Sequence, residues 1–313
     1  MRRLLIFALK FFLTLFFLYV IASKFNYDEI LDRIRSANLL FLFFACCILV
    51  FQNLISSKRF QSVFLLWNEK VIFSNVLGIN FRAQFLNMVL PSFIVGDGLR
   101  LIFARKILGS NFVSFVAVAF DRILSFLWLT PISLVGVLFY SSNSLSYSLT
   151  NLIIAFSLTG PIIFFSIMFL FASKKSLIFF RAPFMNNFLS VKQSFNSVQN
   201  KASTLSMLCF LSLLSHTVTV VAVFLIAVSV SSTVNLIQFM LILPPILILT
   251  ALPLTFGGWG IREFGFAQAY LMLGHSHSEG IAVSVLFAVV YMMSTMPGLF
   301  LVWFYGFVND KNS

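Results

Sequence analysis

Acidic side chains are scarce in this chain, where nine aspartates and glutamates stand against 21 lysines and arginines in 313 residues. Charged residues make up only 10% of the sequence, whereas 60% of it is hydrophobic. Apolar runs such as 39–55 and 152–172 lack the polar face that a helix of a soluble protein needs. The composition therefore predicts an integral membrane protein and argues against a soluble core built from its 42 phenylalanines.

Cysteine is also rare, and Cys46, Cys47 and Cys209 all fall inside apolar segments. A buried thiol usually behaves as a small hydrophobe, so these positions predict neither a disulfide framework nor a zinc site. The sequence has no Walker A loop, no HExxH motif, no Ser/His/Asp arrangement and no paired catalytic carboxylates. We therefore predict no catalytic residue, no metal and no cofactor.

The basic excess lies between apolar runs and contains no nucleic-acid-binding motif, so we predict no nucleic-acid partner. Lysine and arginine instead mark cytoplasmic loops. The regions 56–111 and 173–203 are strongly basic, whereas the connections at 140–150 and 231–235 carry no charge. We predict a cytoplasmic N-terminus, with the uncharged connections outside and a short amphipathic helix over 25–37 on the outer surface.

Runs of about 20 mostly apolar residues are long enough to cross a bilayer. Such runs lie near 4–22, 39–56, 112–139, 151–172, 205–230, 236–252 and 281–307. The first is predicted to be a retained span, because no small-x-small cleavage site follows it. Two further regions, 71–108 and 253–275, are interrupted by proline, glycine and charge, which predicts broken or re-entrant segments. The predicted fold is an all-α polytopic membrane protein of about seven to eight transmembrane helices, in one domain over 1–313.

One pattern, Pro-x4-Gly-x-Gly-x-Arg, occurs twice, 162 positions apart. Its members are Pro91, Gly96, Gly98 and Arg100 in the first copy and Pro253, Gly258, Gly260 and Arg262 in the second. Helix-breaking residues beside an arginine are costly in so apolar a chain. The repeat therefore predicts two related halves, about 39–172 and 205–307, each with a broken helix and a cation, as in transporters built from inverted repeats.

The first copy predicts a helix that arrives from Val71, breaks at Pro91 and resumes near Asp97. Asp97 is placed to cap the second helix, whose N–H groups and dipole can hold an anion, and Arg100 follows one turn later. A phosphate is the predicted guest. The alternative is that Asp97 only caps the helix and pairs with Arg100 at the water interface.

The second copy carries three glycines in four positions, Gly257, Gly258 and Gly260, which let the backbone approach a ligand closely. Arg262 and Glu263 then begin a short apolar helix that ends at glycine 274. Because the acid follows the arginine here and precedes it in the first copy, the two sites are related but not identical.

Other polar residues fall inside the apolar runs. Asn80, Gln84 and Asn87 are spaced i, i+4, i+7, so their amides share one side of a helix and either line a cavity or bond to a neighbouring helix. His216 lies among hydroxyl side chains and has a predicted hydrogen-bonded packing role. The group around His275 resembles a metal cluster only loosely, and an interfacial turn explains it better.

Asp121 and Arg122 lie next to each other in one apolar run and point in different directions on a helix, so each needs its own partner. The candidates are Arg100 or Arg262 for the aspartate and Asp97 or Glu263 for the arginine. Such pairs would join the two broken segments to this helix. The alternative is that Asp121 titrates and couples protons to movement, as intramembrane acids often do.

Three motifs resemble the lysylphosphatidylglycerol synthase transmembrane-region family, also called the flippase-like domain family: LPSFIVGDGLR at 90–100, VAVAFDRILSF at 116–126 and LPLTFGGWGIRE at 252–263. The resemblance covers nearly the whole chain and implies a lipid-translocating protein of the bacterial cytoplasmic membrane. It does not imply synthase activity, because the aminoacyl-transferase domain of the bifunctional enzymes is absent here. The matching polar residues are Asp97, Arg100, Asp121, Arg122, Arg262 and Glu263.

We therefore expect the broken segments to meet near mid-membrane, where Arg100 and Arg262 bind the phosphate of an anionic lipid head group. Two other functions stay open. The chain is alternatively a membrane-embedded transferase acting on a lipid phosphate, with Asp97 or Asp121 as base, or a non-catalytic subunit of an envelope-lipid enzyme. The sequence also leaves open whether the chain forms a homo-oligomer.

Overall fold

The computed structural model describes positions 12, 15, 16, 19, 23 and 255 and the ranges 27–89, 94–139, 202–251 and 258–305. The described positions of the predicted first span are helical. The rest of that span, the predicted span at 151–172, Pro91, Pro253 and Gly257 lie outside the described residues.

Every regular element in the described ranges is a helix. In chain order the helices are α1 (Tyr27–Arg35), α2 (Leu39–Phe64), α3 (Phe73–Val89), α4 (Ile94–Leu108), α5 (Asn111–Leu127), α6 (Leu129–Phe139), α7 (Ala202–Ser229), α8 (Leu236–Ala251), α9 (Ile261–Met272), α10 (His277–Thr295) and α11 (Pro297–Tyr305). A 3₁₀ turn, Leu65–Trp67, follows α2.

Four stretches of the described chain are long and apolar enough to cross a membrane. They are Leu39–Trp67, Asn111–Val137, Ala202–Ser229 and His277–Leu301. The shorter apolar segment Leu236–Thr250 is α8 without its last residue. The all-helical fold of a polytopic membrane protein is therefore confirmed for the part of the chain described.

Helix α2 is longer than the sequence predicts, because it continues past 56 to Phe64. Polar side chains in this extension are satisfied inside the protein: Ser57 Oγ donates to the Asn53 carbonyl at 2.7 Å. Arg59, which the loop-charge count places in a cytoplasmic loop, instead lies within α2 and is 2% exposed. That assignment of Arg59 is wrong, because buried partners keep this turn helical.

The two broken segments form antiparallel helix pairs. In the first hairpin, α3 and α4, the Gly96 N–H donates to Asn87 Oδ1 at 2.9 Å, and Arg100 reaches back to Asn80. The second hairpin consists of α8 and α9. Its open end holds Phe239 against Tyr270, with ring centroids 6.2 Å apart, and Gly265 lies against Ile246 nearer its tip.

The hairpins open towards opposite ends of α2. At the Phe64 end, Gln61 Nε2 donates to the Val71 carbonyl at 2.6 Å just before α3 begins. At the Leu39 end, the Asn38 N–H donates to the Ser229 carbonyl at the end of α7, and Ser232, three residues on, contacts Tyr270 near the end of α9. The tips of both hairpins therefore point towards the middle of the helix bundle.

Helix α1, the predicted amphipathic helix, packs against the start of α10. Arg33 Nη1 lies 3.6 Å from Glu279 Oε2, and the other oxygen of Glu279 accepts Ser232 Oγ at 2.5 Å. The connection 231–235 and α1, both predicted to lie outside, are thus at the same end of the bundle. His275 Nδ1 lies 3.0 Å from Thr233 Oγ1 in this turn.

Two glycines of the first motif should respond oppositely to alanine. A Cβ at Gly96 would overlap the Ala83 carbonyl and the Asn87 side chain, whereas a Cβ at Gly98 would meet nothing within 4 Å. We expect Gly96→Ala to lower the free energy of unfolding by about 1–3 kcal/mol through overpacking. Gly98→Ala should leave it unchanged or raise it by up to about 1 kcal/mol, because alanine favours helix. Thermal unfolding of both variants in one detergent checks this, and equal midpoints would contradict it.

Candidate functional site

A cavity of about 280 Å³ lies where the two hairpin tips meet. The first hairpin contributes Gln84, Asn87, Met88 and Asp97 to its wall, and the second contributes Leu247, Thr250 and Arg262. Helices α2, α5, α6, α7 and α10 supply the rest. The broken segments predicted from the repeated pattern therefore meet in one place.

Arg59 and Asp121 form a buried ion pair beside this cavity. Arg59 Nε donates to Asp121 Oδ1 at 2.8 Å, and Arg59 Nη2 donates to Oδ2 at 3.2 Å. Neither side chain is more than 3% exposed. Arg59 Nη1 also donates to Ser125 Oγ at 3.0 Å. Because two-point arginine–carboxylate contacts are the strong ones, this pair fixes α2 against α5.

Arg100 reaches the same aspartate from α4 but lies behind the cavity. Its Nη1 is 3.8 Å from Asp121 and 3.6 Å from Asp97, its Nη2 donates to Asn80, and its guanidinium packs 5.4 Å from the Phe60 ring centroid. Its buried Nε and Nη1 have no hydrogen-bond partner in the described part of the chain. The pairing of Asp121 with Arg100 agrees with the sequence prediction, but Arg100 is not a wall residue of the cavity.

Arg122 and Asp97 join α5 to the first turn of α4 at the cavity wall. Arg122 Nε lies 3.1 and 3.2 Å from the two Asp97 oxygens, and Nη2 lies 2.5 Å from Oδ1. This is one of the pairs that the sequence predicts. The predicted capping role of Asp97 is wrong, because α4 begins at Ile94 and the carboxylate accepts from Arg122.

Arg262 and Glu263 form the polar group of the second hairpin. Arg262 donates to Glu263 Oε1 from Nε at 3.1 Å and from Nη2 at 2.8 Å, and Glu263 Oε2 accepts the Gly260 N–H at 2.6 Å. Gly260 has a φ of 84°, a conformation that favours glycine. Ser284 of α10 contacts both charged side chains, and the Arg262 guanidinium lies 5.0 Å from the Trp259 ring centroid. These contacts position Arg262 at the cavity wall.

The three amides of α3 divide between the two roles that the sequence left open. Asn80 Nδ2 donates to Ser57 Oγ at 2.8 Å and so joins α3 to α2. Gln84 and Asn87 line the cavity, and Asn87 also accepts the Gly96 N–H across the first hairpin. One amide therefore holds two helices together, and the other two face the cavity.

His216 of α7 joins the buried cluster through Ser125. Ser125 Oγ accepts a hydrogen bond from Arg59 and lies 2.9 Å from His216 Nε2. The hydroxyl is therefore free to donate its own proton to that ring nitrogen. This is the hydrogen-bonded packing role predicted for His216.

The predicted role of the glycines in close approach to a ligand stays a prediction. Gly96 packs against the other helix of its hairpin, and Gly98 borders open space. Gly258 and Gly260 both have positive φ values and shape the turn before α9. Gly257 lies outside the described residues.

Sequence reasoning missed α2 as a wall of the site. Gln52, Ser56 and Arg59 all line the cavity. They have the same i, i+4, i+7 spacing that marks the amides of α3, so the signal was present in the sequence. Within the described ranges, no group of three or more His, Cys, Asp or Glu is close enough together to hold a metal ion.

The model of one protein family, described as Lysylphosphatidylglycerol synthase TM region, matches residues 7–298 of this chain. The match includes both hairpins and every charged residue of the cavity described above. No curated protein sequence matches the chain.

Proposed function

We propose that this chain, which belongs to the lysylphosphatidylglycerol synthase TM region family, moves an anionic phospholipid or a lipid-linked phosphate across the bacterial cytoplasmic membrane. Membership of this family makes it a multi-pass membrane protein connected to lipid handling. The finer proposal rests on one observation: Arg122 and Arg262 line the same cavity. Arg122 is paired with Asp97 of the first hairpin, and Arg262 belongs to the second hairpin.

Both arginines are prepared to bind a phosphate oxygen. Asp97 holds Arg122, and Glu263 holds Arg262, in each case through the Nε and Nη2 atoms. Neither Nη1 atom donates a hydrogen bond within the described ranges, so these donors are open to a ligand. Because a planar guanidinium that is already oriented loses little freedom on binding, the pair suits a phosphate better than two flexible lysines would. Arg122 thus takes the place that the sequence-based hypothesis gave to Arg100.

The opposite openings of the two hairpins suit alternating access. In transporters built from inverted repeats, one repeat rocks against the other around a fixed central site. With the sidedness that the loop charges predict, the first hairpin opens to the cytoplasm and the second to the outside. The phosphate would remain between Arg122 and Arg262 while the tails of the lipid stay in the bilayer. The buried Arg59–Asp121–Arg100 cluster anchors the first hairpin.

Leaflet exchange in vesicles tests this proposal. Purified protein is placed in phosphatidylcholine vesicles that carry a trace of fluorescent phosphatidylglycerol or, separately, of fluorescent phosphatidylcholine with the same chains. Dithionite then destroys only the dye in the outer leaflet. We expect the protein to accelerate exchange of the anionic probe over that of the zwitterionic probe by at least about tenfold, a difference of about 1.4 kcal/mol. Protein-free vesicles give the background.

Equal rates for both probes, or rates at the background level, would overturn the proposal. Formation of a new lipid product in the same vesicles would favour the transferase. Neither exchange nor product, in protein that is shown to be folded, would favour a non-catalytic subunit that needs its partner enzyme.

A further inference from the structure

We infer that the cavity selects a small head group with a single negative charge, a phosphodiester, over phosphomonoesters and diphosphates. This inference rests on the proposed function and specifies the substrate class of the same site.

The charged side chains around the cavity do not balance. Four arginines and three carboxylates form the ion pairs at and behind the cavity wall, so together they carry a net charge of +1. They are Arg59, Arg100, Arg122 and Arg262 against Asp97, Asp121 and Glu263.

The rest of the chain has few acids with which to neutralise this excess. Of the six remaining, Asp28, Glu29, Asp32 and Glu279 lie on α1 or beside it, Glu69 is exposed after the 3₁₀ turn, and Asp310 is near the C-terminus. The ranges 90–93, 140–201 and 252–257 contain no aspartate or glutamate. A bound anion would therefore balance this net positive charge.

The excess charge lies beside the first hairpin, where three arginines share two aspartates. This cluster consists of Arg59, Arg100 and Arg122 with Asp97 and Asp121. Arg100 has the weakest contacts of the three, since its nearest carboxylate oxygens are 3.6 and 3.8 Å away and its buried Nε and Nη1 lack hydrogen-bond partners in the described ranges. One negative charge on the ligand balances this cluster. A second negative charge on the ligand would have no cation to balance it in a largely buried site, which costs free energy.

Phosphate diesters and monoesters differ in this charge. A diester keeps one negative charge at neutral pH, whereas a monoester carries about −1.5 to −2. The cavity volume of about 280 Å³ lies at the small end of the range for ligand pockets. A phosphodiester with a small alcohol suits a cavity of that size.

Competition between lipids with the same chains tests the selection. Exchange of fluorescent phosphatidylglycerol by the full-length protein is measured while unlabelled dioleoyl phosphatidylglycerol or dioleoyl phosphatidic acid competes. We expect the diester to compete at least about tenfold more strongly than the monoester, a difference of about 1.4 kcal/mol. Equal or stronger competition by the monoester would overturn the inference and leave the proposed function standing. Loss of the preference for the anionic probe over the zwitterionic one would overturn both.

One wall position allows a matched charge series. Met88 is half-buried at the cavity wall, and lysine, glutamine and glutamate have a similar length. We expect Met88→Lys to shift the preference towards the monoester by about tenfold, Met88→Gln to leave the ratio unchanged, and Met88→Glu to weaken competition by both anions. A ratio that is the same in all three folded variants would overturn the inference. If Met88→Lys fails to fold, Thr250→Lys places the same charge on the opposite hairpin.

Discussion

Asp121→Asn should lower the free energy of unfolding by about 3–5 kcal/mol, the cost of removing one partner from a buried ion pair. The substitution keeps the shape of the side chain but removes its charge, so Arg59 and Arg100 lose the carboxylate that they share. Both guanidinium groups are at most 3% exposed, so solvent compensates poorly for the lost carboxylate. Unfolding in mixed micelles of dodecyl maltoside and dodecyl sulfate measures the change.

Asp32→Asn is the matched control. Asp32 lies on α1 with a side chain that is 77% exposed and 4.0 Å from Arg35, so its loss should change stability by less than about 0.5 kcal/mol. Replacing Arg59→Met together with Asp121→Leu should restore only part of the lost stability, because apolar residues of similar volume often substitute for a buried pair but Arg100 still loses a carboxylate. A loss below about 1 kcal/mol for Asp121→Asn would show that the pair does not anchor these helices.

Arg262→Gln should slow leaflet exchange of the anionic lipid by about 10- to 150-fold, and Arg122→Gln by a similar factor. These factors correspond to the roughly 1.5–3 kcal/mol that a hydrogen bond to a charged group contributes. Glutamine keeps one NH₂ group but has neither the charge nor the fork of donors that a guanidinium offers. Arg262→Gln should also lower the free energy of unfolding, because the buried Glu263 loses its cation. Glu263 still accepts the Gly260 N–H and Ser284, so the second hairpin should keep its turn.

Arg35→Gln is the control for both variants, since Arg35 is a cation whose side chain is 75% exposed on α1. It should exchange lipid at the wild-type rate. Circular dichroism and thermal unfolding of each variant separate a loss of binding from a loss of fold. Folded Arg262→Gln and Arg122→Gln proteins that both exchange the anionic probe at the wild-type rate would remove the basis of the phosphate site.

The sequence predicted the broken segments well because their cause is local. Pro91 stands between α3 and α4, and proline disfavours a continuous helix, so two separate helices follow from residues 71–108 alone. The predicted pairings of Arg122 with Asp97 and of Asp121 with Arg100 succeeded for a related reason. Few acids are available, and a charge within an apolar run must find an opposite one.

Arg59 and Arg100 show where such reasoning failed. Arg59 follows an apolar run and precedes a turn, and its position by sequence suits a loop cation as well as a buried one. Arg100 occupies the same place in the repeated motif as Arg262, yet of these two arginines only Arg262 reaches the cavity wall. The difference depends on the neighbouring helix: Phe60 and Asn80 hold Arg100 behind the wall, whereas Glu263 and Ser284 hold Arg262 at it.

By itself the sequence determined that this is a membrane protein, at which positions its helices break, and that its intramembrane charges must pair. Each of these properties follows from composition or from the chemistry of adjacent residues. Only the tertiary structure decided which arginines face the cavity and that one positive charge is left over there. These properties depend on how helices far apart in the chain pack together, and a guanidinium reaches either solvent or a buried carboxylate according to which neighbour fills the space beside it.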